Sequence, residues 1–307
     1  MATVLITGGT GLIGKALTKA LVANNYRVII LTREKPASSG DARVSYARWD
    51  IGTQYIETEA IGRADHIIHL AGANVGEKRW TEKRKKEIVD SRVKSSALLV
   101  KAIREIPNHI RTVVSASAIG WYGPDPEAAP RPFTESDPPA DDFLGQTCRQ
   151  WEASITPVAQ AGKRLVKIRT GIVLSKEGGA LKEFEKPLHA GIAAILGNGR
   201  QVISWIQIDD LVRIYIAAIE NEKMEGAYNA VAPQPVSNKT FVTALARAKK
   251  RFYLPVHVPA FALRLVLGEM SIEVLKSTTV SSEKIRATGF VFQYPGLPEL
   301  ESFLKAG

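Results

Sequence analysis

Glycines occupy positions 8, 11 and 14 in the run Thr7-Gly8-Gly9-Thr10-Gly11-Leu12-Ile13-Gly14, where an apolar strand pattern gives way to a helical one. In that setting Gly8 permits a tight turn, Gly11 lets the backbone approach a ligand, and Gly14 lets the helix pack closely on the strand. The free amides and positive end of the following helix then face an anion, and a dinucleotide pyrophosphate suits this spacing. The bland alternative is a glycine-rich turn without a ligand, which would carry the same conformational cost with nothing to offset it. The end of the next strand discriminates between cofactors. An acid there would accept hydrogen bonds from ribose hydroxyls, whereas the chain reads Leu31-Thr32-Arg33, with Lys35 nearby. A cation pairs instead with a 2′-phosphate, so NADP is the expected cofactor; the alternative for Arg33 is an ordinary solvent-facing arginine.

Such residues need strands and helices in alternation to hold them. Apolar β-branched runs predict strands at residues 3–7, 27–32, 44–49, 66–70, 112–115 and 165–168. Between the first two, Ala16, Leu17, Ala20 and Leu21 recur at helical spacing, and Asn24-Asn25 is a natural stop. Residues 123–142 hold six prolines and six acids with few aliphatics, which predicts a long loop, read as a flap beside a site. A helix over about 146–161 follows, kinked at Pro157, and Trp205-Ile206-Gln207-Ile208-Asp209-Asp210 opens another. A basic, proline-punctuated tail ends in Phe290, Phe292 and Tyr294. The expected fold is α/β: a doubly wound parallel sheet of Rossmann type over 1–174 with 200–233, and a smaller C-terminal substrate module from 175–199 with 234–307.

Composition excludes several classes. With 307 residues, 45% hydrophobic and 23% charged, the chain can bury a large core, so disorder is excluded. Cys148 is the only cysteine, which rules out an intramolecular disulfide and points to a reducing, cytoplasmic setting. The N-terminal pattern is unlike a signal peptide, and the apolar stretch 256–267, broken by Pro259 and Arg264, falls short of the roughly 20 residues of a membrane span. Seven basic residues, Lys78, Arg79, Lys83, Arg84, Lys85, Lys86 and Arg92, are interleaved with Glu77, Glu82, Glu87 and Asp90, within a chain of net charge +10; Glu82 and Lys86 stand four apart. That mixture reads as a solvated helix face, so neither a nucleic-acid nor a membrane partner is expected.

Four segments together resemble the extended short-chain dehydrogenase/reductase family: the glycine run, Asp65-His66-Ile67-Ile68-His69-Leu70-Ala71-Gly72, Val114-Ser115-Ala116-Ser117 with Tyr122-Gly123, and Trp205 onward to Leu211. More narrowly, Trp49-Asp50, Ser91-Arg92, Gly120-Trp121-Tyr122-Gly123, Trp151-Glu152 and Arg169-Thr170-Gly171-Ile172-Val173-Leu174 resemble NAD-dependent epimerase/dehydratase-like proteins, which carry a short C-terminal domain of unknown function. The resemblance implies that Thr10, Gly11, Leu12 and Ile13 hold the pyrophosphate, Arg33 the 2′-phosphate and Asp50 the adenine. It places Leu70, Ala71, Gly72 and Ala73 by the adenosine ribose, Ser115 and Ser117 near the nicotinamide, and Thr170, Gly171, Ile172 and Val173 on its far side. Asp50 has a second reading as a turn cap. Ser115 and Ser117, two apart on a strand, point to one face, either to polarise a substrate carbonyl or to cap the strand end.

Active members use a Tyr with a Lys four residues later for acid–base work. None of the eight tyrosines here has that lysine, and the aligned positions hold Leu144 and Cys148. Hydride chemistry belongs to the cofactor and survives the loss, but a different proton donor is needed. Tyr122 is the first candidate, with a packed aromatic as its alternative role; Cys148 reads as buried structure. His66 and His69, three apart on a strand, face opposite sides, and no metal is expected. The overall expectation is an NADP(H)-binding oxidoreductase or sugar-nucleotide-epimerase-like enzyme of unknown small-molecule substrate, or alternatively a non-catalytic NADP(H) sensor.

Overall fold

All five residues of strand β1 (Thr3–Thr7) are buried, a pattern that only a central strand with both faces covered can sustain. The computed structural model describes residues 1–34, 40–126, 131–249 and 252–305, and in it β1 lies between β2 (Arg27–Thr32) and β5 (His66–His69), parallel to both. Beyond β2 the sheet continues to β3 (Val44–Asp50) and a short antiparallel β4 (Tyr55–Ile56). Beyond β5 it continues through β6 (Thr112–Ala118), β7 (Arg164–Thr170) and β13 (Gly226–Ala230), all parallel. Strand order therefore reverses between β1 and β5, which opens a crevice past their carboxyl ends.

Alternate residues of these strands serve two cores. Val4, Ile6, Val28, Ile30, Ile68 and Val114 pack with helices α1 (Leu12–Ala23) and α7 (Ile208–Glu220). Leu5, Ile29, Leu31, Ile67 and Val113 pack on the opposite face with α2 (Thr58–Arg63), α3 (Glu82–Glu105), α4 (Phe143–Ile155) and α5 (Pro157–Gln160). The sheet is doubly wound, as its runs of β-branched residues require. The six expected strands are all present, and β6 and β7 run on to Ala118 and Thr170. Where a kinked helix over 146–161 is expected, two helices form, because Pro157 starts α5 in a position where its missing N–H costs nothing.

A third core gathers Leu174, Leu181, Trp205, Phe241, Leu245 and Leu300. Around it lie a sheet of β8 (Ile172–Ser175), β9 (Gly178–Gly179) and β12 (Trp205–Gln207), and the pairs β10 (Ile192–Leu196) with β15 (Leu254–Val258) and β11 (Val202–Ile203) with β14 (Val236–Ser237). Its helices are α6 (Ala180–His189), α8 (Asn238–Ala248), α9 (Ala260–Leu267), α10 (Ser271–Leu275), α11 (Glu283–Arg286) and α12 (Leu297–Lys305). Ile285 and Phe292 reach back into the first core, and the buried carboxylate of Asp210 on α7 fixes that return by accepting from the amides of Gln293 and Tyr294. No helix among the described residues is long and apolar enough to cross a membrane.

The basic stretch 78–92 is not uniformly a solvated face. Arg84 and Arg92 are only 6% and 9% exposed, because the sheet-facing side of α3 carries them inward. Lys86 pairs with Asp90, while Lys85 takes Glu82 and Glu269.

His69, at the end of β5, is fully buried, with Nδ1 2.7 Å from Thr7 Oγ1, and burial pushes it from 6.5 down to about 3. The unfolded chain takes up a proton below 6.5 that the folded chain refuses until about 3, so this contribution is complete above pH 6.5 and lost as pH falls through that window. Urea unfolding between pH 7.5 and pH 5 should show about 2 kcal/mol of stability lost to this residue alone, and His69→Gln should flatten the profile by that amount.

Candidate functional site

Gly8 adopts φ +70°, and a Cβ on Gly14 would lie 2.4 Å from Gly8 O and 2.5 Å from Gly9 Cα. Only glycine lets α1 pack this closely on the turn. Gly11 is different: a Cβ there would meet only Gly8 O, at 3.3 Å, so its bareness serves open space. Helix α1 begins at Gly11 with no side-chain cap, which leaves the amides of its first turn for an anion. The residues fit a pyrophosphate. Across the crevice, Thr7 Oγ1 accepts from the amides of Leu70 and Ala71 at 3.1 Å each, fastening this second loop to the glycine turn. Ala73 N donates to Ser91 Oγ, and Gly72 backs onto the Arg92 guanidinium.

Arg33 is exposed immediately past β2; Lys35 lies outside the described residues. Asp50, at the end of β3, accepts from Gly52 N at 2.8 Å and Thr53 N at 3.3 Å. Those amide bonds hold its carboxyl below the usual range, so it is a turn cap whatever else it does.

Beyond the carboxyl ends of β6 and β7 lies a cavity of about 330 Å³. Ala118 and Ile119 form one wall and Thr170 and Gly171 another. Leu144 and Cys148, one turn apart on α4, face it from a third side. Burial pushes the Cys148 thiol up to about 12, which keeps it neutral. From the C-terminal segment, Glu273 and Lys276 line the same cavity, with Nζ 2.9 Å from Glu273 Oε1 and 3.5 Å from Asp142 Oδ2. Burial raises the Glu273 carboxyl above its ordinary range, and Lys276 recovers only part of that shift. Among the described residues no group of three or more His, Cys, Asp or Glu could hold a metal.

Ser117 and Tyr122 do not take the catalytic places expected of them. Ser117 is 3% exposed and donates to Glu152 Oε1 at 2.8 Å, away from the cavity that its neighbour Ala118 lines. Ser115 is fully buried and its hydroxyl turns back to Ala116 O. Tyr122 is also fully buried: its hydroxyl donates to Asn229 Oδ1 at 2.8 Å and accepts from Arg169 Nη1 at 3.0 Å. Burial pushes the phenol up to about 12, against a proton-transfer role near neutrality. Its ring stacks on Phe133 of the flap. Arg169 also binds Glu152 through Nε at 2.8 Å and Nη2 at 3.2 Å and lies 3.7 Å over the Trp121 ring.

The flap is likewise no loose lid. Phe133 N donates to Thr279 O, Ser281 N to Phe133 O and Asp125 N to Ser277 O, so the backbone at 125 and 133 is tied to the segment 277–281 that carries on from Lys276. Residues 127–130 of the expected flap lie outside the described residues.

A glycine turn under a bare helix end, set where strand order reverses in a doubly wound sheet, defines a nucleotide-binding protein of the extended short-chain dehydrogenase/reductase class. Residues 4–152 match the model of the NAD dependent epimerase/dehydratase family, and residues 258–305 match a domain of unknown function, DUF1731. The chain belongs to this epimerase family. It is 38% identical over 296 residues to an epimerase family protein of Staphylococcus saprophyticus, covering 95% of this chain and 96% of the relative. Identity to an epimerase family protein of Mycobacterium leprae is 34% over 303 residues, covering 98% and 95%. The crystal structure of human epimerase family protein SDR39U1 (isoform 2) with NADPH matches with a TM-score of 0.87 at 29% identity, over 99% of both chains.

Tyr122→Phe removes one hydroxyl from a buried network and leaves Asn229 Oδ1 without its donor. Urea unfolding should show a loss of about 1–3 kcal/mol relative to the parent.

Proposed function

We propose that the protein binds NADP(H) and uses it in oxidation or reduction at a hydroxyl or carbonyl carbon of a small molecule held in the cavity. The observation that carries this reading is the shared wall: Thr170 and Gly171, which the family pattern sets beside the nicotinamide, line the cavity with the Glu273–Lys276 pair. The bound dinucleotide would supply or accept the hydride. Thr10 to Ile13 and Gly14 would hold its pyrophosphate, Arg33 its 2′-phosphate, and the backbone from Leu70 to Ala73 its ribose side. Asp50 has one carboxylate oxygen committed to its turn and the other to offer the adenine. The proton moves through Glu273, whose burial lets it hold a proton closer to neutrality than an exposed carboxylate, with Lys276 at 2.9 Å to stabilise the carboxylate once the proton has left. That pair stands in for the tyrosine and lysine that α4 lacks.

A sugar nucleotide fits this cavity less well than a small carbonyl or hydroxyl compound. Arg92 and Lys276 are its only cations among the described residues, and Lys276 is already paired with two acids. A diphosphate would need more. The sensor reading is favoured by a single observation, the hydrophobic Leu144 and neutral Cys148 in the dyad positions.

Arg33→Asp should weaken NADPH binding at least tenfold and leave NADH binding no weaker; equal affinities for the two cofactors in the parent would contradict the assignment of Arg33. Glu273→Gln should lower NADPH-dependent turnover of a panel of small aldehydes and ketones at least tenfold with NADPH affinity unchanged. Full turnover in that variant removes Glu273 from the mechanism, and no turnover by the parent across the panel favours the sensor.

A further inference from the structure

Three arginines are less than a tenth exposed among the described residues: Arg84, Arg92 and Arg169. Two have carboxylates. Arg84 meets Glu87 at 2.8 Å and Glu77 at 3.0 Å, and Arg169 meets Glu152 at 2.8 Å. Arg92 has none within ion-pair distance among the described residues. Its Nη1 donates to the carbonyls of Ala73 at 3.1 Å and Ile88 at 3.0 Å, and its face lies 4.8 Å from the Trp151 ring centroid. Its nearest ionisable neighbours do not help, since Cys148 is a neutral thiol and Arg84 a like charge. No protein acceptor among the described residues takes the Nε and Nη2 hydrogens, and these form the fork that matches a carboxylate edge to edge. Arg92 lines the cavity.

An unpaired guanidinium in so dry a place is unfavourable unless an anion completes it. We infer that Arg92 receives the carboxylate of the molecule that enters the cavity, and that the substrate class is a small carboxylic acid with a largely apolar body. This rests on the cavity being the substrate site, as proposed above. One free cation balances one negative charge, which suits a carboxylate better than a phosphate dianion. Ile119, Leu144, Cys148 and Trp151 line the same cavity, and these apolar surfaces favour hydrocarbon over a polyhydroxylated chain. Glu273 and Lys276 line the same cavity, so a molecule anchored at Arg92 by its carboxylate would offer its uncharged end to that pair.

The test uses calorimetric titration of the intact protein, with and without saturating NADPH, by 3-phenylpropionate, its neutral amide and inorganic phosphate. The acid should bind at least tenfold more tightly than the amide or phosphate. Arg92→Met should abolish that preference, and Arg92→Lys, which keeps the charge but not the fork, should retain part of it. Equal binding of acid and amide, no binding of the acid, or preference for phosphate would overturn the inference. So would an Arg92→Met variant that keeps the preference. If Arg92→Met does not fold, the acid-to-amide ratio on the parent decides. Failure of NADPH to bind sinks the cofactor reading alone, because that ratio is also measured without it.

Discussion

The edge-to-edge meeting of Glu152 with Arg169, side chains 5% and 4% exposed, is the constraint around which the site is organised. Two charges taken out of water are tolerable only when every remaining donor and acceptor is satisfied, so such a pair dictates its surroundings. Ser117 on β6 donates a hydrogen bond to Glu152, Lys167 on β7 approaches the same carboxylate at 3.4 Å, and Tyr122 and the Glu135 carbonyl complete Arg169. Asn229 on β13 extends the chain of bonds to Ser281. One buried pair therefore joins three strands, helix α4, the flap and the C-terminal segment. The cavity is built from those same elements, and its walls hold their places because the network behind them does.

The same network fixes helix α4, from which Leu144 and Cys148 face the cavity. The registration of α4 on β6 comes from Glu152, one turn beyond Cys148, and from Leu144 packing on Gly120.

The sheet was legible in the sequence because each central strand is a continuous β-branched run covered on both faces, a pattern with no competing explanation at that length. The cofactor cradle was legible for a related reason: Gly8 and Gly14 sit where a side chain would collide with backbone, so their identity records the geometry. The cavity was not. Ser117 and Tyr122 looked catalytic from their place after a strand, but the partners that occupy them, Glu152 and Asn229, are 35 and 107 residues away. Arg92 was hidden in a basic run, since which lysine or arginine of a helix turns inward is settled by what the helix packs on. Glu273 and Lys276 belong to no spacing pattern, and only the fold of the tail brings them to the strand ends.

The ties between flap and C-terminal segment at Phe133, Ser277 and Ser281 use main-chain amides and carbonyls, whereas Asp125 adds its carboxylate, which accepts from the amide and the hydroxyl of Thr279. The main-chain ties are blind to side-chain identity, so the closure over the strand ends depends on the identities of Asp125 and Thr279 far more than on those of the other residues along it.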